Sequence, residues 1–131
     1  MEDVWRAKSD RTIQLWDTRE PDEWSGKRLL RGATRRGRVP WAKFLHWLEF
    51  RKSVNAKTPA EFKTAAEIQV IIDRNGLDPS KHQLFYCQIG VRTTTGIFAL
   101  YLMGWDPDKL HNYDGSWAEW SFHEKNPVLT E

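Results

Sequence analysis

Apolar and polar positions change their period several times along the chain. "TIQLWD", Thr12–Asp17, reads as a short strand that ends on a charged residue. "REPDEWSG" follows, with Pro21 opening a helical turn and Gly26 closing it. Arg38-Val39-Pro40 is predicted as a short strand stopped by proline, and "AKFLHWLEF" as a short helix through Phe44, Leu45 and Leu48. The clearest helix is "TAAEIQVIIDRNG". Thr64 and Glu67 form a capping box, Ala65, Ile68, Ile71 and Ile72 line one face, and Gly76 stands at the left-handed C-terminal cap. Asp78-Pro79-Ser80 is a turn, "QLFYC" a strand, residues 92–103 a largely buried helix, "KLHNYD" a last strand and "GSWAEWS" a short terminal helix. Strands alternating with helices predict an α/β domain with a mostly parallel sheet. Functional groups of such sheets lie beyond the carboxyl ends of the strands, where Asp17, Cys87 and Asp114 are expected to gather.

Length and charge narrow the classes. The chain has 131 residues, enough for one domain with a real core and too few for two. A formal net charge of +2 is too mild to imply a nucleic-acid partner. The basic residues cluster in "KRLLRGATRRGR", Lys27–Arg38, either a solvated loop or a positive rim that draws in a small anion. No run approaches the roughly 20 apolar residues that span a bilayer, and the N-terminus lacks a signal-peptide core, so the expectation is a cytoplasmic protein without a membrane partner. The expected unit is a single domain over residues 1–131, and an abrupt start also fits a domain cut from a longer chain.

The single cysteine, Cys87, cannot form an internal disulfide. It sits between an apolar strand and an apolar helix, followed by Gln88, Ile89, Gly90, Val91, Arg92 and Thr93. A buried small hydrophobe is one reading of such a residue. The other is chemical: amides at a helix N-terminus lack helical partners, the helix dipole adds positive potential, and Arg92 adds a full charge. All three stabilise a thiolate. Gly90 lets the backbone curl around it. No metal is expected, because His46, His82, His111 and His123 lack paired ligand spacing and there is no second cysteine.

Several segments, in order, resemble the rhodanese family of sulfurtransferases. "LWDTREPDEWSG" resembles its first strand and Asp-x-Arg signature, "RGRVP" its Gly-His/Arg-Ile-Pro element and "FKTAAEI" the helix before the catalytic strand. "YCQIGVRT" resembles its active-site loop, and "NYDGSWAEWS" a signature most typical of the C-terminal catalytic half of two-domain rhodaneses. The resemblance implies a five-stranded parallel sheet flanked by helices, and no cofactor. It implies that Cys87 takes a sulfane sulfur from thiosulfate or a similar anionic donor as a persulfide, held among the amides of Gln88–Thr93. A thiol or cyanide acceptor then removes the sulfur. Asp17 and Arg19 are implied to belong to the charged network that braces the loop, with a pair that merely fixes the strand end and direct substrate contact as the alternatives. Asp114, Ser116 and Trp117 are implied to brace or wall the site, Trp117 alternatively as a purely structural ring.

Three positions depart from the family pattern. Ile89 stands where thiosulfate-using enzymes carry a basic residue, Glu23 where they tend to carry an arginine, and Trp41 where a small glycine is common. Arg92 and the Arg35–Arg38 cluster are the candidates to restore positive charge. A phosphatase of related fold needs five residues between cysteine and arginine, whereas four separate Cys87 from Arg92. A sulfur-relay or docking module acting with a protein partner is the alternative from another class.

Overall fold

The computed structural model describes residues 1–52 and 61–131. Its centre is a pair of parallel strands, β1 (Ile13–Asp17) and β3 (His82–Tyr86), in register from Ile13 opposite His82 to Asp17 opposite Tyr86. β2 (Lys43–Phe44) flanks β1 and β4 (Leu110–Asn112) flanks β3, giving the order β2-β1-β3-β4 with every pairing parallel. Successive side chains on a strand point to opposite faces. Trp16 and Phe85 therefore join one core, with Ile68, Ile71 and Ile72 of α3 (Ala65–Asn75) and Ala99 and Leu100 of α4 (Thr93–Leu102). Leu15, Leu84 and Tyr86 face the other, closed by Val4 of α1 (Glu2–Arg6) and by Trp117 and Trp120 of α5 (Ser116–Phe122). A short α2 (Pro21–Trp24) follows β1 at its carboxyl end. Among the described residues, no helix is long and apolar enough to cross a membrane.

The α/β class and the parallel sheet are as the sequence predicts, with four described strands rather than five. Arg38–Pro40 is not a strand of that sheet. Arg38 makes an isolated antiparallel bridge to Leu129, and Pro40 has no N–H with which to extend it. "AKFLHWLEF" is not one helix either. Lys43–Phe44 pair with Trp16–Asp17, Leu45 and Trp47 donate their N–H groups to Asp17 and Thr18, and only Trp47–Phe50 form a 3-10 turn. The open edge of β1 outweighs the helical spacing, because pairing there buries Leu45 and Phe50.

The helix after Cys87 is less buried than predicted. Ala99 and Leu100 face the sheet, while Phe98, Tyr101 and Leu102 are about half exposed. α3 matches its prediction: the Thr64–Glu67 capping box is present and Gly76 takes φ 73° at the C-cap. The N-terminal α1 was not predicted. Trp41 holds it by donating its indole N–H to the Val4 carbonyl at 2.8 Å, and Trp5, Trp41 and Trp120 pack together with ring centroids 5.3 to 5.8 Å apart.

At the amino edge of the sheet His82 Nδ1 lies 2.8 Å from His111 Nε2. Burial and then the neighbouring His82 lower the His111 pKa, against the opposing pull of Asp3 and Asp108. As pH falls below the ordinary imidazole value of about 6.5, the unfolded chain takes up this proton before the folded one does. Stability present above that pH therefore declines on acidification until the folded His111 titrates too. Thermal melts from neutral to mildly acid pH should show a falling Tm, and the fall should shrink in His111→Gln.

Candidate active site

β3 ends at Tyr86 and α4 begins at Thr93, so Cys87–Arg92 form the turn between them. Cys87 is buried at its floor, 1% exposed. The Gly90 N–H donates to Cys87 Sγ at 3.2 Å, which requires the chain to double back with φ 84° at Gly90. A Cβ at this position would stand 2.9 Å from the Asp114 carbonyl oxygen, so glycine is needed for space as well as for φ. Thr93 Oγ1 and Asn112 Nδ2 both donate to the Gly90 carbonyl, at 2.7 and 3.0 Å, which fixes the orientation of that peptide. The cradle thus presents a donor to Sγ at the N-terminus of a ten-residue helix.

The segment after β4 holds the floor. Ser116 Oγ accepts the Cys87 N–H at 3.1 Å and donates to the Tyr113 carbonyl at 2.7 Å. The Trp117 and Ala118 N–H groups donate to the carbonyls of Cys87 and Gln88. Ser116 has φ 52°, the left-handed region, which orients its hydroxyl between the two partners. Ser116→Ala leaves the buried Cys87 N–H without an acceptor. It is expected to cost about 1–3 kcal/mol in urea unfolding.

The charges differ from expectation. Arg92 does not stand free as a cation for an anionic donor: its guanidinium forms a bidentate pair with Glu23, Nη1 to Oε2 at 2.6 Å and Nη2 to Oε1 at 3.0 Å. Glu23 is 1% exposed. Burial pushes the Glu23 carboxyl up, but the hydrogen bonds from Arg92 and the Glu20 backbone outweigh it and hold the pKa below the usual carboxylate value. The Arg35–Arg38 cluster does not replace the lost charge. Arg35 donates to the carbonyls of Ser121 in the last turn of α5 and of His123 and Asn126 beyond it, and Arg36 to that of Lys27. Arg38 binds the Trp24 carbonyl and Glu131 and lies over the Trp24 ring. None of the three lines the pocket over Cys87, which has a volume of about 460 Å³ and includes Glu20, Arg28, Leu30, Ile89 and Val91.

Asp17 and Arg19 are 0% and 2% exposed and form a bidentate pair beneath the loop, Nη2 to Oδ2 at 2.6 Å and Nε to Oδ1 at 2.9 Å. Arg19 also donates to the Gly37 carbonyl, and its guanidinium stacks 4.6 Å from the Trp117 ring centre. Both are buried, and neither lines the pocket over Cys87. Trp117 is 1% exposed, donates Nε1–H to the Arg35 carbonyl and does not line the pocket. Asp114 is exposed, backs onto Gly90 and does not line the pocket. Trp41 lies with α1, remote from Cys87 in the contacts it makes.

A family model described as the rhodanese-like domain matches residues 1–123. The chain belongs to this family. It is 33% identical over 125 residues to a putative thiosulfate sulfurtransferase of Haloferax volcanii, covering 91% of this chain and 41% of that one. It is 36% identical over 113 residues to the sulfur carrier protein TtuD of Thermus thermophilus, covering 81% and 37%. The chain thus spans about two fifths of the length of these curated relatives. Among solved structures it matches the anaerobic ergothioneine biosynthesis enzyme from Chlorobium limicola bound to trimethyl histidine. There the TM-score is 0.81 at 28% identity, over 99% of this chain and 31% of that one. A structure of EanB carrying a cysteine persulfide matches with TM-score 0.83 at 28% identity, over 99% and 31% of the two chains.

Within this rhodanese-like domain Cys87, Gln88, Ile89, Val91 and Arg92 of the loop line the pocket together with Arg28, from the basic stretch read as a solvated loop or a positive rim, while Glu20 and Leu30 join it without having been predicted. Glu20 accepts hydrogen bonds from Trp47 Nε1 and contacts His46 Nε2, each at 2.9 Å. The available signal was their chain position: each follows the carboxyl end of β1, the edge on which Cys87 also lies.

Proposed function

We propose that residues 1–131 form one catalytic sulfurtransferase domain, in which Cys87 carries a sulfane sulfur as a persulfide. The Gly90 N–H aimed at Cys87 Sγ at 3.2 Å, at the N-terminus of α4, carries this reading. Such a donor, with the helix dipole behind it, offers a sulfur that carries negative charge a hydrogen bond and a positive potential. In the first half-reaction the Cys87 thiolate attacks the outer sulfur of thiosulfate, S–SO₃²⁻. The new bond is Cys87 S–S, the bond that breaks is S–SO₃, and sulfite leaves with its electron pair. In the second, a thiol or cyanide attacks the outer persulfide sulfur and the Cys87 thiolate is restored. Two half-reactions through a covalent intermediate predict ping-pong kinetics. The Glu23–Arg92 pair and Ile89 bear on which donor is used. Gln88, Ile89, Val91 and Thr93 shape the cradle, and Asp17, Arg19, Asp114 and Trp117 support it from below and behind.

The likeness to a sulfur carrier protein supports a second reading, in which the acceptor or donor is a partner protein and the domain relays sulfur to it. Intact mass after incubation with a sulfane donor and desalting tests the common step. The expected result is a gain of one sulfur atom on the native chain, absent after alkylation of Cys87. No gain from thiosulfate, from benzenethiosulfonate or from a cysteine desulfurase supplied with cysteine, with Cys87 still open to alkylation, overturns the persulfide reading. Release of thiocyanate on adding cyanide supports small-molecule transfer, and loading only by a cysteine desulfurase supports the relay.

A further inference from the structure

We propose that the buried Glu23–Arg92 pair makes the pocket selective for monoanionic sulfane-sulfur donors with an apolar substituent, of the class R–SO₂–S⁻, over the thiosulfate dianion. This rests on the persulfide reading of Cys87. The charged side chains lining the pocket are Glu20, Glu23, Arg28 and Arg92, two of each sign. Arg92 is bound at both nitrogens by Glu23, and Arg28 lies 3.6 Å from Asp22. With the Cys87 thiolate formed, the side chains around an incoming donor sum to a net negative charge. A dianion meets twice the repulsion that a monoanion meets, and among the described residues each cation lining the pocket has a carboxylate neighbour.

The lip is the second observation. Ile89 and Val91 are 60% and 63% exposed and flank Gly90, and both line the pocket with Leu30. These are branched aliphatic side chains standing in water at the mouth of a site, and an apolar substituent would cover them at a gain in free energy. Thiosulfate offers nothing to cover them. The proposed step balances: Cys87–S⁻ and R–SO₂–S⁻ give Cys87–S–S⁻ and R–SO₂⁻. One S–S bond forms, one S–S bond breaks, the sulfinate takes the electron pair and no proton moves.

Single-turnover loading of Cys87, read by intact mass, tests this with thiosulfate and benzenethiosulfonate on the parent, Glu23→Gln and Ile89→Ser. Each donor's intrinsic reactivity cancels in its own variant-to-parent ratio. Removing one negative charge at the pocket should raise loading about fivefold for the monoanion and about twenty-five-fold for the dianion, the effect scaling with donor charge. Ile89→Ser changes an exposed side chain and should lower benzenethiosulfonate loading about threefold or more relative to thiosulfate. The parent provides a further readout needing no variant: its thiosulfate loading should stay flat or rise as salt goes from about 0.02 to 0.5 M. Equal gains for the two donors in Glu23→Gln overturn the proposal. So does parent loading from thiosulfate that falls steeply with salt, as a positive site would show. If neither donor loads a parent that a cysteine desulfurase does load, the donor proposal fails alone; if none of the three loads it, the persulfide reading itself fails, a distinct result from loading with the wrong charge dependence.

Discussion

Cys87→Ser is expected to lower sulfur transfer by at least about 10⁴, to the uncatalysed background, because no second thiol exists to take over. Serine has nearly the same shape, and its backbone keeps the bonds to Ser116 and Trp117 that hold the floor in place. Its hydroxyl stays protonated at neutral pH, however, and an alcohol oxygen does not accept a sulfane sulfur as a thiolate does. The loss should therefore fall on turnover and not on folding. The check is paired: thiocyanate formation at saturating donor and cyanide, and a thermal melt. A variant that keeps more than a hundredth of the parent rate would contradict a covalent role for Cys87. An unchanged melt alongside lost activity separates chemistry from stability.

Asp17→Asn should have the largest effect on stability. The change is isosteric, yet it leaves the Arg19 charge at 2% exposure without its carboxylate. Burial works against that charge, and in the native protein Asp17 more than offsets it, so the guanidinium pKa lies above its ordinary value. Removing one member of a buried ion pair costs about 3–5 kcal/mol, because the remaining charge is uncompensated. Against a typical total of about 5–15 kcal/mol, that is a large fraction. The double change Asp17→Asn with Arg19→Met should recover part of the loss, since it removes the stranded charge and keeps much of the stem that packs on Trp117. Urea denaturation of the two single variants and the double gives the cycle. A double variant less stable than Asp17→Asn would mean that Arg19 holds the domain by its stacking on Trp117 and its bond to the Gly37 carbonyl more than by its charge.

What was legible in the sequence follows the range of the interactions involved. α3 was legible because its determinants are local: Thr64 caps Glu67 three residues on, and Gly76 supplies the left-handed cap. The Cys87 loop was legible for the same reason, its glycine and arginine lying within five residues of the sulfur. β2 was misread because the spacing of Phe44, Leu45 and Leu48 suits a helix when taken alone, and only the open edge of β1 makes a strand there the better choice. α4 was expected to be buried on account of its apolar content, but content does not say how many sides a neighbour covers. α1 has five residues with one buried side chain, too little pattern to read, and it is held by a tryptophan 37 residues away. The pairing of Glu23 with Arg92 spans 69 residues. Both residues were noticed, one as a lost cation and the other as its replacement. That they cancel each other is a property of the fold.

The three indoles of Trp5, Trp41 and Trp120 have a spectroscopic consequence. Chromophores with centres 5.3, 5.4 and 5.8 Å apart couple their excited states, so the cluster should give a split circular-dichroism band that isolated tryptophans lack. Because Trp5 belongs to α1 and Trp120 to α5, the band reports whether the N-terminal helix is seated. Followed with temperature beside the far-ultraviolet signal, it would reveal whether α1 leaves before the sheet melts or together with it.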